Sequence, residues 1–136
     1  MGIILALDFG TVRTGLAVTD ELQLIASGLR TVATTELMDF LKEYLAENAV
    51  ETLVIGEPKR MDGSPSEVES EIVKFIVKLK EYFPELPVVR QDERFTSKMA
   101  ARSLVDSRVK KKQRQNKALL DEVSATLILQ AYLERR

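Results

Sequence analysis

Apolar residues in this chain first run together or alternate, then later recur at helical spacing, and the change of period lays out the elements. Residues 2–9 are aliphatic and β-branched with no helical period, which predicts a buried central strand. Gly10-Thr11 makes a turn, and Arg13-Thr14-Gly15-Leu16-Ala17-Val18-Thr19 reads as a second strand. Asp20-Glu21 turns again into a third strand over residues 24–32. Connections this short between successive strands predict an antiparallel meander.

The period then becomes helical. Thr35 is placed to cap a helix running to Glu47, with Leu37, Phe40, Leu41, Tyr44 and Leu45 on one face. Residues 51–55 form a fourth strand that ends at Gly56-Glu57-Pro58. After a loop over 59–63, Ser64-Pro65-Ser66-Glu67 has the form of a capping box with proline at the first helical position. Its helix turns Val68, Ile72, Phe75, Ile76 and Leu79 inward and stops before Pro84. A fifth strand over 86–91, a helix over 96–105, a basic loop and a last helix over 117–133 complete the order βββαβαβαα. That order predicts an α/β fold, a five-stranded mixed sheet with helices on its faces. With no repeat and no linker, residues 1–136 read as one domain.

Composition matters here for what it excludes. The chain has no histidine and no cysteine, so disulfides, thiolate sites, Ser-His-Asp triads and histidine-ligated zinc cannot be built. Acid–base work falls to Asp, Glu, Lys, Tyr or metal-bound water. No apolar run approaches the roughly 18–20 residues of a membrane span, and the chain opens on a strand-like segment rather than a signal peptide.

Three carboxylates stand at the ends of otherwise apolar elements. Asp8 closes Ile3-Ile4-Leu5-Ala6-Leu7, Glu93 follows Pro87-Val88-Val89, and Asp121 lies within the last helix. At about 100° per residue, Asp121 falls at the centre of an apolar arc that includes Leu120, Ala125, Ile128, Leu129 and Tyr132. Buried charges are costly unless paired or bound to metal. Converging acids repel, and a hard divalent cation is the simplest way to neutralise them. The pattern points to metal-dependent phosphate chemistry. Each acid also has a plainer reading: Asp8 as a turn residue before glycine, Glu93 as a partner of Arg94, and Asp121 as a charge held by a helix N-terminus.

Net charge is only -1, but Arg108, Lys110, Lys111, Lys112, Arg114 and Lys117 follow one another with no acid between them. Such a segment suits a phosphate backbone, or else is a solvated loop. It has no interleaved aromatic residue, so base stacking is not expected there. In Asp8-Phe9-Gly10-Thr11-Val12-Arg13-Thr14-Gly15, the glycines would let backbone approach a ligand and Arg13 would grip a phosphate. The alternative is a tight hairpin whose glycines only supply turn geometry.

Four segments together resemble the YqgF family, the Holliday-junction-resolvase-like proteins of the ribonuclease H-like superfamily. They are Ala6-Leu7-Asp8-Phe9-Gly10 with Arg13-Thr14-Gly15; Val54-Ile55-Gly56-Glu57-Pro58 with Met61-Asp62-Gly63-Ser64; Asp92-Glu93-Arg94-Phe95-Thr96-Ser97 with Ala100; and Leu120-Asp121-Glu122-Val123-Ser124-Ala125 running on to Leu133. The resemblance implies a bacterial cytoplasmic nuclease acting on the precursor of 16S ribosomal RNA. It makes Asp8, Glu93 and Asp121 the catalytic acids that bind Mg²⁺ or Mn²⁺, with Arg13 and Arg94 orienting phosphates. The basic segment 108–117 would hold the nucleic-acid strand, and the protein would act as a monomer or weak homodimer away from any membrane. Glu57 departs from the family pattern, which is usually apolar there, and reads as a solvated loop acid rather than a fourth ligand. Two other readings share this frame: a Holliday-junction resolvase acting on branched DNA, and a non-catalytic RNA-binding assembly or transcription factor. Asp8-Phe9-Gly10-Thr11 is also similar to the phosphate loop of the actin, sugar-kinase and heat-shock-chaperone superfamily. Those enzymes need two such lobes, and this chain has length for one.

Overall fold

Strands β1 (Ile3–Asp8), β2 (Arg13–Thr19), β3 (Ala26–Ala33), β4 (Val50–Glu57) and β5 (Val88–Asp92) form one sheet in the order β3-β2-β1-β4-β5. The computed structural model describes residues 2–60, 62–93 and 117–136, without the side chain of Lys117. β1, β2 and β3 make the antiparallel meander, whereas β4 pairs parallel with both β1 and β5. Three helices complete the described elements: α1 (Leu37–Glu47), α2 (Glu69–Tyr82) and α3 (Lys117–Arg135). The mixed sheet with helices is the α/β arrangement the element order predicts, and the ribonuclease H-like form is what the family resemblance implies.

The strand period of two divides the core into two layers. Leu5, Leu7, Leu16, Leu53 and Ile55 face one way and pack on Leu37 and Leu41 of α1 and Ile72 and Leu79 of α2. Ile4, Ala6, Ala17 and Val54 face the other way and meet Ala125, Ile128 and Leu129 of α3. Because both faces of β1 are covered, its sequence is uniformly apolar until Asp8. The small residues Ala6, Ala17 and Ala125 let α3 lie close to the sheet. Among the described residues, no helix is long and apolar enough to cross a membrane.

Local side-chain chemistry moves several boundaries from where periodicity puts them. The third strand begins at Ala26 rather than 24 because the Asp20 carboxylate accepts the N–H groups of Leu22, Leu24 and Ile25 at 3.1, 2.9 and 2.8 Å, holding that stretch as a loop. Thr35 caps no helix: Thr34–Glu36 forms a 3₁₀ turn and α1 starts at Leu37 with no side-chain cap. The capping box at Ser64 does not form either. Asp62 accepts both the N–H and the hydroxyl of Ser64, Lys59 bridges Pro65, and the N–H of Ser66 reaches the carbonyl of Pro58. Those bonds keep 64–66 extended, so α2 begins only at Glu69. The helix expected over 96–105 and the basic segment from Arg108 to Arg114 lie outside the described residues.

Candidate active site

The parallel strands β1, β4 and β5 all end at the same edge of the sheet, and there the register sets Glu57 beside Asp92 and Asp8 beside Gly15 of β2. Open α/β sheets present their ligand sites at such carboxyl ends. Asp8 shares its face with Ile4 and Ala6, so its carboxylate lies on the α3 side of the sheet. Burial, reinforced by the charge of Asp121, pushes the Asp8 carboxyl up to about 7.

Glu93 follows β5 directly, its N–H donating to the carbonyl of Glu57 at 3.2 Å. Burial and then the charge of Asp8 push its carboxyl up to about 8, with Arg90 acting in the opposite sense. Its Oε2 is buried and has no hydrogen-bond partner among the described residues. Gly56 makes the room. A Cβ at that position would overlap Glu93 Oε2 and stand 2.8 Å from Ile128 Cδ1.

Asp121 lies beyond the first turn of α3, so the helix N-terminus does not account for it. Its backbone rests against β2 at Gly15, where a Cβ would overlap the Asp121 carbonyl. Arg13 Nε donates to Asp121 Oδ2 at 2.5 Å. Gly10, Thr11, Val12, Arg13 and Asp121 line a concavity of about 260 Å³ at this corner. A roomier one of about 580 Å³ lies among Leu45, Ala49, Pro84 and Leu86, where β4 and β5 begin, at the opposite end of these strands from Asp8 and Glu93.

The fold therefore couples the acids in a row, with Asp8 facing both Glu93 and Asp121. As their side chains stand, no three acids among the described residues gather tightly enough to hold a metal ion. The donor chemistry nonetheless fits a hard cation: all are carboxylate oxygens, one of them buried without a partner. Arg13 is where the sequence places it but is engaged with Asp121. Arg94, Arg108, Lys110, Lys111, Lys112 and Arg114, with the side chain of Lys117, lie outside the described residues. The two glycines correct the ligand-cradle reading. Gly10 packs against the carbonyl of Arg13 inside the turn, and Gly15 admits a helix rather than a ligand. Glu57 is the last residue of β4 and pairs with Lys59 at 3.4 Å, away from the acid row.

Sequence reasoning missed Arg90 and Glu69. Arg90 Nη1 and Nη2 grip the Glu69 carboxylate at 2.9 and 2.7 Å, and Nη2 and Nε reach the carbonyls of Gly56 and Ile55 at 2.8 and 3.3 Å. This fork ties the end of β4 to the start of α2 beside Glu93. The available signal was an arginine directly after the apolar pair Val88-Val89 within a strand.

The raised carboxyls have a consequence for the metal-free protein. A carboxyl whose folded pKa exceeds its unfolded value binds more protons when folded, so ionising it opposes folding. In EDTA, stability should fall as pH rises from about 4 through the 7–8 at which Asp8 and Glu93 titrate. Melting curves at pH 5.5 and 8.5 test this; a higher Tm at pH 8.5 would refute it.

Comparison with known proteins supplies the family. The RuvX family, described as Holliday junction resolvases, matches residues 2–135. The chain belongs to the RuvX family. A protein of Christiangramia forsetii named as a candidate pre-16S rRNA nuclease is 57% identical over 133 residues, covering 98% of each chain. One of the same name from Bacteroides thetaiotaomicron is 54% identical over 136 residues, covering 100% of this chain and 99% of its own. Among solved structures, the fowlpox virus Holliday junction resolvase matches with a TM-score of 0.57 at 16% identity, over 98% of this chain and 99% of that one. RuvC of T. thermophilus, in complex with a Holliday junction substrate, also gives 0.57, at 14% identity over 99% and 96%. These two share the fold. RuvX membership makes the chain a nuclease in class, a hydrolase of phosphodiester bonds.

Proposed function

We propose that this protein trims the 5′ end of precursor 16S ribosomal RNA in the bacterial cytoplasm, using Asp8, Glu93 and Asp121 as its catalytic acids. The row of half-buried acids at the carboxyl edge of the sheet carries this reading, above all the buried, unpartnered Oε2 of Glu93. The full-length relatives named as candidate pre-16S rRNA nucleases support the choice of RNA.

Asp8, Glu93 and Asp121 would hold Mg²⁺ or Mn²⁺, which when bound supplies charge to activate water and to offset the leaving oxygen. Everything else falls to the chain. Asp8 pairs with Gly15 of β2 and follows Leu7, which pairs with Ile55 of β4, so its carboxylate is preorganised at a strand end rather than carried on a loop. Burial holds the Glu93 carboxyl near neutrality in the metal-free protein, so a cation held at Oε2 would release its proton on binding. Arg13 stands at the mouth with its side chain 38% exposed, within reach of a phosphodiester oxygen. Arg94 and the basic segment from Arg108 to Lys117 would grip the strand and make binding salt-sensitive. A single strand cut once needs only a monomer or a weak dimer.

The test sets a precursor 16S RNA 5′ leader beside a four-way DNA junction, each with Mg²⁺, Mn²⁺ or EDTA, for wild type and Asp121→Asn. RNA cleavage that needs metal and is lost in the variant is the expected result. Symmetric cutting of the junction in preference to the leader would replace this reading by a resolvase. Tight metal-independent RNA binding without cleavage would replace it by an assembly factor.

A further inference from the structure

Arg13 and Asp121 stand in an arrangement that the proposed reaction does not itself require. The acid that should help hold a cation is closed by an internal one. Neither backbone is free to resolve this by moving. Arg13 pairs with Ala33 in the sheet and its carbonyl backs onto Gly10, while the Val12 carbonyl accepts the N–H of Thr34 at 2.9 Å. The Thr34 hydroxyl donates to the Gly10 carbonyl at 2.6 Å, closing the turn. Asp121 is seated on Gly15. An exchange therefore falls to the side chains, that of Asp121 21% exposed and that of Arg13 38% exposed at the edge of the 260 Å³ concavity.

We propose that Arg13 is a placeholder cation: it neutralises Asp121 in the metal-free protein and is displaced to the substrate phosphodiester when a divalent cation takes Asp121. This rests on the active-site reading above and adds a coupling to it. Arg13 Nε and a cation compete for the charge of Asp121, whose Oδ2 the guanidinium holds, so metal alone binds weakly. A phosphodiester offers the released guanidinium two non-bridging oxygens that match its planar fork, in place of the lost carboxylate. Each ligand then raises the affinity of the other, and linkage requires the two gains to be equal. The ion pair also shields Asp8, since Asp121 without Arg13 would repel it more strongly.

The test titrates Mn²⁺ alone into the full chain, following free Mn²⁺ by electron paramagnetic resonance. Removing the competing cation in Arg13→Gln should tighten Mn²⁺ binding by about tenfold or more, and the double variant Arg13→Gln/Asp121→Asn should lose that gain. Arg13→Lys, which keeps the charge without the fork, should fall between wild type and Arg13→Gln. A second arm measures anisotropy of a labelled 5′-leader RNA by rapid mixing, read before turnover. Wild-type RNA affinity should rise with Mn²⁺, and that rise should shrink several-fold in Arg13→Gln. Equal Mn²⁺ affinity in wild type and Arg13→Gln would overturn the exchange while leaving the metal site standing. Absence of saturable Mn²⁺ binding in both would overturn the active-site reading along with it.

Discussion

Asp8→Asn should abolish metal-dependent cleavage, by at least about 10²–10³-fold in kcat, while leaving RNA affinity within a few-fold of wild type. Asp8 is the member of the acid row that faces both others, so its loss removes the link between Glu93 and Asp121. The isosteric amide keeps the strand pairing of β1 and should not disturb the fold. It should in fact stabilise the metal-free protein. Above pH 7 the native Asp8 is forced to ionise in a half-buried position beside Asp121, and asparagine is not. A gain of about 1 kcal/mol corresponds to roughly 3–5 °C in Tm for a domain of this size. The gain should appear at pH 8.5 in EDTA and vanish at pH 5.5, where the native carboxyl is protonated. A variant that cleaves normally, or that melts below wild type at pH 8.5, would remove Asp8 from the site and leave the acids a structural role.

Apolar period and strand connection were legible in the sequence; side chains that bond to nearby backbone were not. The continuous apolar run ending at Asp8 and the arc around Asp121 place both acids on the same side of the sheet, as the structure has them. The parity of Val89, Gln91 and Glu93 does the same for the third acid. The helix starts failed for a common reason. Thr35, the expected cap, lies inside the 3₁₀ turn Thr34–Glu36 that Thr34 ties to Gly10 and Thr14, and Ser64 spends its hydroxyl on Asp62, so neither segment follows its local capping pattern. Arg13 was found but its partner was not, because the ion pair joins residues far apart in the chain. The Arg90–Glu69 fork was hidden in the same way. Glycine was the least legible residue: Gly15 and Gly56 sit inside strands, where spacing cannot tell a turn from a place where something must come close.

Gly15→Ala should be more damaging than alanine at the other two in-strand glycines, Gly28 and Gly56. Its Cβ would overlap the carbonyl carbon and oxygen of Asp121 and stand 3.0 Å from the Asp121 Cβ. These are helix backbone and its first side-chain atom, not the far end of a flexible side chain, so α3 as a whole must retreat. Ala125, Ile128 and Leu129 would lose their fit against Ile4, Ala6, Ala17 and Val54. Overpacking of this kind costs about 1–3 kcal/mol, more when backbone must move, which predicts a Tm lower by roughly 5–10 °C. Activity should fall further than stability. At a temperature where the variant is fully folded, Asp121 would still be displaced from Asp8, and cleavage needs sub-ångström placement of its acids. Gly28→Ala separates this from a general intolerance of alanine in these strands. It faces the same helix, but its Cβ would meet Glu122 Cβ at 3.5 Å and Thr126 Oγ1 at 3.6 Å, ordinary van der Waals contact. That variant should melt within about 2 °C of wild type and cleave normally. If Gly15→Ala behaved the same way, α3 would not be seated on β2 at Asp121, and the geometry of the third acid would have to be drawn again.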